Sequence, residues 1–348
     1  MLHIIKQTLE GKKVIITGHS GFKGKWLCRI LKRLNCKVFG FSSYPIDQNL
    51  FGLSEKSDLI DKEFIGDICN YNLTSLIDTL SPDYIFHFAA QALVKESIKE
   101  PINTFKTNTL GTCFLLDALK DYKKKCNVVL ITSDKVYENK EWLWGYREID
   151  QLGGNDPYSA SKAMAELGIK SYLNTFNYLN NGVKISIARA GNVIGGGDWS
   201  KDRLIPDLMR SLESGEILTI RSPKATRPWQ HVLDPLYGYL TLGAKLSFDD
   251  ELHGEAFNFG PPNQEFRSVD SICSQVKDML PNLQFKISNE FNSESNLLQL
   301  DCSKSSNKLG YSARFDSYEA VKMSVEWYKD YLQGGLNLKS ILDLQIQR

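Results

Sequence analysis

Tyr158 and Lys162, in the run Tyr158-Ser159-Ala160-Ser161-Lys162, stand four residues apart. On a helix that spacing puts both side chains on one face. A lysine ammonium there favours the phenolate and lowers the tyrosine pKa. The phenol can then exchange a proton near neutral pH. Tyr-x-x-x-Lys by itself is weak, because chance places it in many helices. Far upstream, however, stands Thr17-Gly18-His19-Ser20-Gly21-Phe22-Lys23-Gly24. Together the two features read as a nicotinamide-dependent enzyme that works on an alcohol or ketone.

These residues need elements to position them. Val14-Ile15-Ile16 is a short β-branched run that reads as a buried strand. Residues 26–34 have the apolar spacing of a helix. Strand, glycine turn and helix in that order is the dinucleotide-binding context. Gly18 permits the tight turn, Gly21 lets the backbone approach a pyrophosphate, and Gly24 lets helix pack on strand. The free N–H groups of the helix then face the phosphates.

Further strands are expected at residues 37–41, 63–65, 84–88, 128–132 and 183–188, and helices at 103–119 and 157–173. This alternation predicts an α/β fold, a doubly wound parallel Rossmann sheet with helices on both faces. After Ala190 the rhythm breaks at the loop Gly195-Gly196-Gly197-Asp198, and short helices among irregular segments are expected. The expected division is a cofactor-binding domain at 1–188, carrying Tyr158 and Lys162. Residues 189–348 would form mainly a smaller C-terminal lobe for substrate, with segments near 228–260 returning to the first domain. That lobe would cover the C-terminal ends of the strands, where ligands of such sheets bind.

Composition narrows the class. A hydrophobic fraction of 42% and a charged fraction of 24% suit a globular protein. A net charge of +1 gives no argument for nucleic acid or an anionic membrane as partner. Residues 1–13 read as no signal peptide, and no apolar run approaches a membrane span. Seven scattered cysteines without a Cys-x-x-Cys pair point to reduced thiols in the cytoplasm. Five histidines form no ligand-spaced cluster, so no catalytic metal is expected.

The chain resembles the extended short-chain dehydrogenase/reductases, in their NAD-dependent epimerase/dehydratase group. Within that group it is most similar to the nucleotide-sugar 4,6-dehydratases that act on CDP-sugars. The resemblance rests on the glycine turn, on Thr132-Ser133-Asp134-Lys135-Val136-Tyr137-Glu138-Asn139 and on Trp144-Gly145-Tyr146-Arg147-Glu148. It continues through Arg189-Ala190-Gly191-Asn192-Val193-Ile194-Gly195-Gly196-Gly197-Asp198-Trp199, Arg203-Leu204-Ile205-Pro206-Asp207 and Arg227-Pro228-Trp229-Gln230-His231-Val232. Asn258-Phe259-Gly260-Pro261 and Leu300-Asp301-Cys302-Ser303-Lys304 complete it, so it spans nearly the whole chain.

The resemblance implies an internal redox cycle on a nucleotide sugar, with NAD as cofactor. Tyr158 would take the proton of the sugar 4-hydroxyl while hydride leaves C4 for NAD+. The 4-ketone makes the C5 proton acidic, the 6-hydroxyl leaves as water, and NADH returns the hydride to C6. CDP-glucose would become CDP-4-keto-6-deoxyglucose, in deoxysugar biosynthesis for surface polysaccharide such as O-antigen, lipopolysaccharide or capsule. Lys162 would hold the nicotinamide ribose and Ser133 would bond near the 4-oxygen. Asp134 would be the acid at the 6-hydroxyl and Lys135 the base at C5. A lysine serves as base only if its pKa falls well below about 10.4; otherwise Lys135 is a solvated or phosphate-contacting cation, and Asp134 a turn cap.

The remaining candidates keep two readings each. His19 contacts cofactor phosphate or ribose, or is an exposed turn histidine. Ser20, Phe22 and Lys23 belong to the cofactor turn, and Ile68, Ala89, Ala90, Gln91 and Asn108 to the cofactor site by resemblance. Asp67 contacts adenine or caps a helix. The second strand ends Gly40-Phe41-Ser42-Ser43, with neither the acid that marks NAD nor an arginine for NADP. Arg203, Arg221 and Arg227 suit a substrate pyrophosphate, with Asn192 and His231 beside them. A homo-oligomer, dimer or tetramer, is the family habit, with Leu119, Tyr122 and the Tyr158 helix as a possible interface. Other readings are a dehydratase of GDP-, dTDP- or UDP-linked hexose or heptose, an epimerase or decarboxylase, and a dinucleotide-binding regulator without catalysis.

Overall fold

A computed structural model describes residues 2–47, 55–261, 267–288 and 298–348. Its centre is a sheet of seven strands: β1 Lys13–Thr17, β2 Lys37–Ser42, β3 Lys62–Ile65, β4 Tyr84–His87, β5 Cys126–Ile131, β6 Val183–Ala190 and β7 Ala256–Phe259. All neighbours pair in parallel, in the order β7-β6-β5-β4-β1-β2-β3. The register sets Val14 against both Val38 and Tyr84, and Thr17 against Phe41 and His87. The order reverses between β1 and β4, the switch point at which ligands of such sheets bind.

Helices cover both faces, which is why the strands read as continuous apolar runs. Val14, Ile15 and Ile16 are buried, as are Val128, Val129 and Leu130. On one face Trp26, Leu27 and Leu31 of the helix Phe22–Arg33 meet Leu236, Tyr239 and Leu240 of the helix Leu233–Leu246. On the other face Leu115 and Leu116 of the helix Gly111–Leu119 meet Ile169 of the helix Pro157–Thr175 and Ile185 of β6. Leu119 and Tyr122 lie in this second core and are buried within the chain, so neither is available to an interface.

The helix expected over 103–119 is interrupted. Pro101–Phe105 leads into a π-turn at Lys106–Leu110 before Gly111–Leu119. The π-turn holds Asn108, and such turns gather at functional sites. Gly111 follows it because a Cβ there would lie 2.7 Å from Ile68 Cγ2.

Beyond β6 the helices are longer than expected. Ser317–Leu332 has 16 residues and Leu233–Leu246 has 14. A third core, of Ile205, Leu208, Ile272, Val276, Val321 and Trp327, lies apart from the sheet. It joins the helices Leu204–Ser214, Val269–Met279 and Ser317–Leu332. Among the described residues no helix is long and apolar enough to cross a membrane.

Candidate active site

Gly18 turns with φ +73°, and a Cβ on it would sit 2.7 Å from Ala89 N. The loops after β1 and β4 therefore touch at this glycine. A Cβ on Gly24 would lie 2.3 Å from Gly18 O, so the helix packs directly on the turn. Gly21 is the N-cap of Phe22–Arg33 and carries no side-chain cap. The first N–H groups of that helix are thus left to a ligand. Gly18→Ala should cost about 1–2 kcal/mol for the left-handed backbone alone, with the clash added. At roughly 2–4 °C per kcal/mol for larger domains, the melting temperature should fall by several degrees and dinucleotide binding should weaken. Unchanged melting and binding would show that the turn tolerates a side chain.

The glycine turn opens onto a cleft of about 1920 Å³. Ligand pockets commonly hold about 300–1,000 Å³, so this one has room for a dinucleotide and a second nucleotide together. Gly18, Gly21, Phe22, Lys23 and Gly24 line it, and so do Asp67, Ile68, Ala89, Ala90 and Gln91. The Asp67 carboxylate accepts from Cys69 N at 3.0 Å and Asn70 Nδ2 at 2.9 Å. It caps its turn and faces the cleft at once.

Three of the expected cofactor residues are placed behind the cleft wall. His19 is buried, with Nε2 donating to Glu63 Oε1 at 2.7 Å, and its ring lies under Gly40. It is not an exposed turn histidine, and its side chain is outside the cleft lining. Ser20 Oγ bonds Ser42 Oγ at 2.6 Å. Asn108 holds the Gln91 backbone from both sides, accepting from its N at 2.8 Å and donating to its O at 2.9 Å. It also donates to Ser161 Oγ at 2.8 Å. Asn108 thereby ties the loop after β4 to the helix of Tyr158 and Lys162.

That helix starts cleanly. Asp156 caps it by accepting from Ser159 N at 3.0 Å, Pro157 opens it, and Tyr158 N donates to Ser97 Oγ at 3.1 Å. Tyr158 and Lys162 both face the cleft where β5 ends, and Lys162 Nζ donates to Ile131 O at 3.3 Å. Burial lowers Lys162 to about 8, partly offset by Glu166. Burial also raises the Tyr158 phenol above its ordinary value. Lys162, the lysine expected to lower it, is not among the main groups that act on the phenol. A hydrogen bond with Ser133 and the charge of Arg203 act in the lowering direction.

Ser133, Asp134 and Lys135 form the turn that follows β5. Ser133 Oγ accepts from Lys135 N at 3.2 Å and donates to Asp134 Oδ1 at 3.0 Å. Asp134 is buried, and desolvation raises its carboxyl above the ordinary range against the lowering charges of Lys135 and Lys23. A shift in that direction is the one a general acid needs. Lys135 is half-buried on the cleft wall.

On the far side stand Asn192, Arg203, Arg221 and Arg227, all lining the cleft. Arg203 Nη1 donates to Asp198 Oδ2 at 3.0 Å, and Arg227 Nη1 donates to Thr226 O at 2.8 Å. Arg221 lies 3.8 Å from Asp202, which also pairs with Lys95 on the opposite rim. His231 is the exception. It is fully buried between Trp26 and Phe315, away from the cleft lining, and desolvation lowers it to about 3. A neutral ring at that depth belongs to the core rather than to a substrate site.

Residues 14–260 match the NAD dependent epimerase/dehydratase family. A CDP-glucose 4,6-dehydratase of Salmonella typhimurium is 41% identical over 339 residues, which cover 95% of this chain and 94% of that one. The chain belongs to this family. A dTDP-glucose 4,6-dehydratase of Xanthomonas campestris is 25% identical, covering 93% of this chain and 95% of the relative. In fold, this epimerase/dehydratase family member is similar to DesIV, a dTDP-glucose 4,6-dehydratase from Streptomyces venezuelae solved with NAD and TYD. The TM-score is 0.77 at 24% identity, covering 94% of this chain and all of that one (100%). It is also similar to the UDP-glucuronic acid 4-epimerase of Bacillus cereus, solved with UDP-glucuronic acid and NAD. There the TM-score is 0.78 at 24% identity, covering 92% and 99%.

Two supporting groups of this family member escape a reading of its sequence. Glu166, one turn beyond Lys162, accepts from Thr132 Oγ1 at 2.6 Å and from Arg189 Nε at 2.9 Å. The i, i+4 spacing from Lys162 was the available signal. Tyr239, buried behind the cleft, meets Lys23, whose Nζ donates to its hydroxyl at 3.4 Å. It sits on a helix apolar on all sides and carried no signal.

Proposed function

We propose that the protein is a nucleotide-sugar 4,6-dehydratase that takes water from CDP-glucose to give CDP-4-keto-6-deoxyglucose, for deoxysugars of surface polysaccharide. The observation that carries this reading is Asp134. A buried carboxyl on the cleft wall, bonded to Ser133 and with its pKa raised by burial, suits the acid that water loss requires. A 4-epimerase has no use for it. A non-catalytic regulator would have no use for Tyr158 and Lys162 either.

The glycine cradle and the free helix N-terminus suit a dinucleotide pyrophosphate, and the family is NAD-dependent. When bound, NAD supplies a reversible hydride acceptor and, oxidised, a positive charge of the sign that favours the phenolate. Tyr158 takes the proton of O4, helped by Ser133 and Arg203, which act against the burial that raises its phenol. Lys162 holds ribose hydroxyls with its ammonium. Asp134 gives its proton to O6 as the C6–O bond breaks. Lys135 removes the C5 proton that the 4-ketone has made acidic. Arg203, Arg221, Arg227 and Asn192 hold the diphosphate on the side of residues 189–348, and 1–188 with the segment 228–260 hold the cofactor.

The test is incubation with CDP-, dTDP-, UDP- and GDP-glucose and a nucleotide heptose, with products resolved by mass. CDP-glucose should give a product lighter by one water without consuming added NAD. Water loss from another nucleotide sugar, with CDP-glucose untouched, would move the reading to that substrate.

The protein would work in the cytoplasm, as free cysteines throughout the chain suit a reducing compartment. It would do so as a homo-oligomer. The helices Gly111–Leu119 and Pro157–Thr175 pack where Gly168 meets Cys113, and nearby Leu110, Phe114, Met164 and Leu167 are exposed. Such an apolar face suits a second copy of the chain. Phe114→Glu with Leu167→Glu should convert the protein to monomer in sedimentation. A wild-type monomer at micromolar concentration, or a variant that stays associated, would exclude this face.

A further inference from the structure

Lys95 is a cation on the cleft wall that the reading above leaves without a task. It stands on the short helix Val94–Lys99, after β4, and lines the cleft. Its ammonium crosses the mouth of the cleft and donates to Asp202 Oδ1, in the segment after β6. The same oxygen lies 3.8 Å from Nη2 of Arg221, which directly follows the strand Leu218–Ile220. Three separate segments thus converge on one carboxylate oxygen, and two of them bring cations from opposite rims. All three residues line the cleft.

The loop that carries Asp202 is fixed at its base, on the side of residues 189–348. Asp198 is buried, and its carboxylate accepts from Ser200 N and Arg203 Nη1, both at 3.0 Å. Its carbonyl accepts from the Tyr328 hydroxyl. Trp199 packs on Tyr328 and Tyr331, and Arg210 donates to the carbonyls of Trp199 and Ser200 at 3.0 Å. Asp202 itself is exposed and turns with φ +61°. Aspartate adopts that left-handed backbone more readily than most residues. The hydrogen bond from Lys95, with the charges of Lys95, Arg221 and Lys99, holds its carboxyl below the ordinary range. Asp202 is therefore an anion at neutral pH. Exposed ion pairs of this kind add little net stability and exchange readily.

We propose that Lys95 is a further ligand for the diphosphate of the nucleotide sugar, and that Asp202 is a placeholder anion which holds Lys95 and Arg221 together until the diphosphate displaces it. This deepens the nucleotide-sugar reading above and rests on it. Two cations that meet one oxygen are close enough for one diphosphate to bridge. Without an anion between them, the ammonium and the guanidinium would repel each other and move apart. Asp202 prevents that before substrate arrives, and it is an anion the substrate can push aside. Arginine suits a phosphate by its paired N–H groups and lysine by its point charge. Lys95 brings that charge from the cofactor side, so both walls of the cleft hold the diphosphate.

Calorimetric titration of the whole protein with CDP, and with inorganic pyrophosphate, tests this without turnover. Asp202→Asn keeps the size of the side chain and removes the competing charge. It should bind CDP about fivefold more tightly than wild type. Lys95→Met should bind CDP about tenfold more weakly, and Lys95→Arg should recover most of that affinity. The loss from Lys95→Met should be larger in the Asp202→Asn background, where the ammonium no longer has to leave a carboxylate. Pyrophosphate should follow the same order. Equal or weaker CDP binding by Asp202→Asn would overturn the proposal, because a carboxylate that merely fastens the two rims gives that result. Unchanged CDP affinity in Lys95→Met would overturn it too, as would a wild-type protein that binds neither probe. If Lys95→Met does not fold, Lys95→Gln carries the same titration. Wild-type protein that binds CDP yet dehydrates no nucleotide sugar would instead sink the dehydratase reading and leave the order of affinities to stand.

Discussion

Tyr158→Phe should reduce turnover by about 10² to 10⁴ and leave dinucleotide binding near the wild-type level. The variant removes one oxygen from a buried ring and keeps its packing. The groups proposed to hold the dinucleotide are elsewhere on the cleft lining, in the turn at Gly18 to Gly24 and along Asp67, Ala89 and Ala90. The O4 proton would then have no acceptor in reach. Turnover and fluorescence titration of the cofactor, measured on one preparation, check both halves. Near-normal turnover would show that another group is the base. Lys162→Met should behave differently, impairing binding and rate together, because its amine faces the cleft from the end of β5, beside Tyr158.

Lys135→Ala should stop the cycle between oxidation and water loss. Tyr158, Ser133 and Lys162 are intact in this variant, so C4 can still be oxidised. The C5 proton then has no base, and the 6-hydroxyl is not expelled. The near-ultraviolet absorbance of reduced nicotinamide should build up after rapid mixing with CDP-glucose. Product formation should fall by about 10² to 10⁴. If Lys135 only contacts phosphate, the variant will instead bind substrate more weakly, with no build-up of reduced cofactor.

The sheet was legible because its strands are buried on both faces. Val14-Ile15-Ile16 and Val128-Val129-Leu130 leave no alternation to confuse a strand with anything else. The glycine turn was legible because Gly21 and Gly24 pack on Gly18 and His19 of the same short loop, although Gly18 also meets Phe88 and Ala89 after β4. The helix Leu233–Leu246 was not legible. Nearly all its residues are buried, so it has no polar face and no period to read. The π-turn at Asn108 answers to Gln91 and Ser161, partners far away in sequence. His19 and His231 show the same limit at the site. Both lie in motifs rich in ligand-binding residues, yet their rings are directed by distant neighbours, Gly40 and Glu63 for one and Trp26 and Phe315 for the other. Motif membership fixed the position of the backbone there, and long-range packing chose the direction of the side chain. The phenol of Tyr158 adds an electrostatic case. Helical spacing located its lysine, while the groups that act on the phenol, burial first and then Ser133, Asp134 and Arg203, come from the walls of the cleft.

The most direct measurement follows one hydrogen. CDP-glucose carrying deuterium at C4 is turned over, and the product is resolved by mass and by proton resonance. An internal redox cycle with water loss predicts a product lighter by one water, with the deuterium now on C6. Deuterium retained at C4 in a product of unchanged mass would mean epimerisation, and would contradict the assignment of Asp134 and Lys135 to water loss.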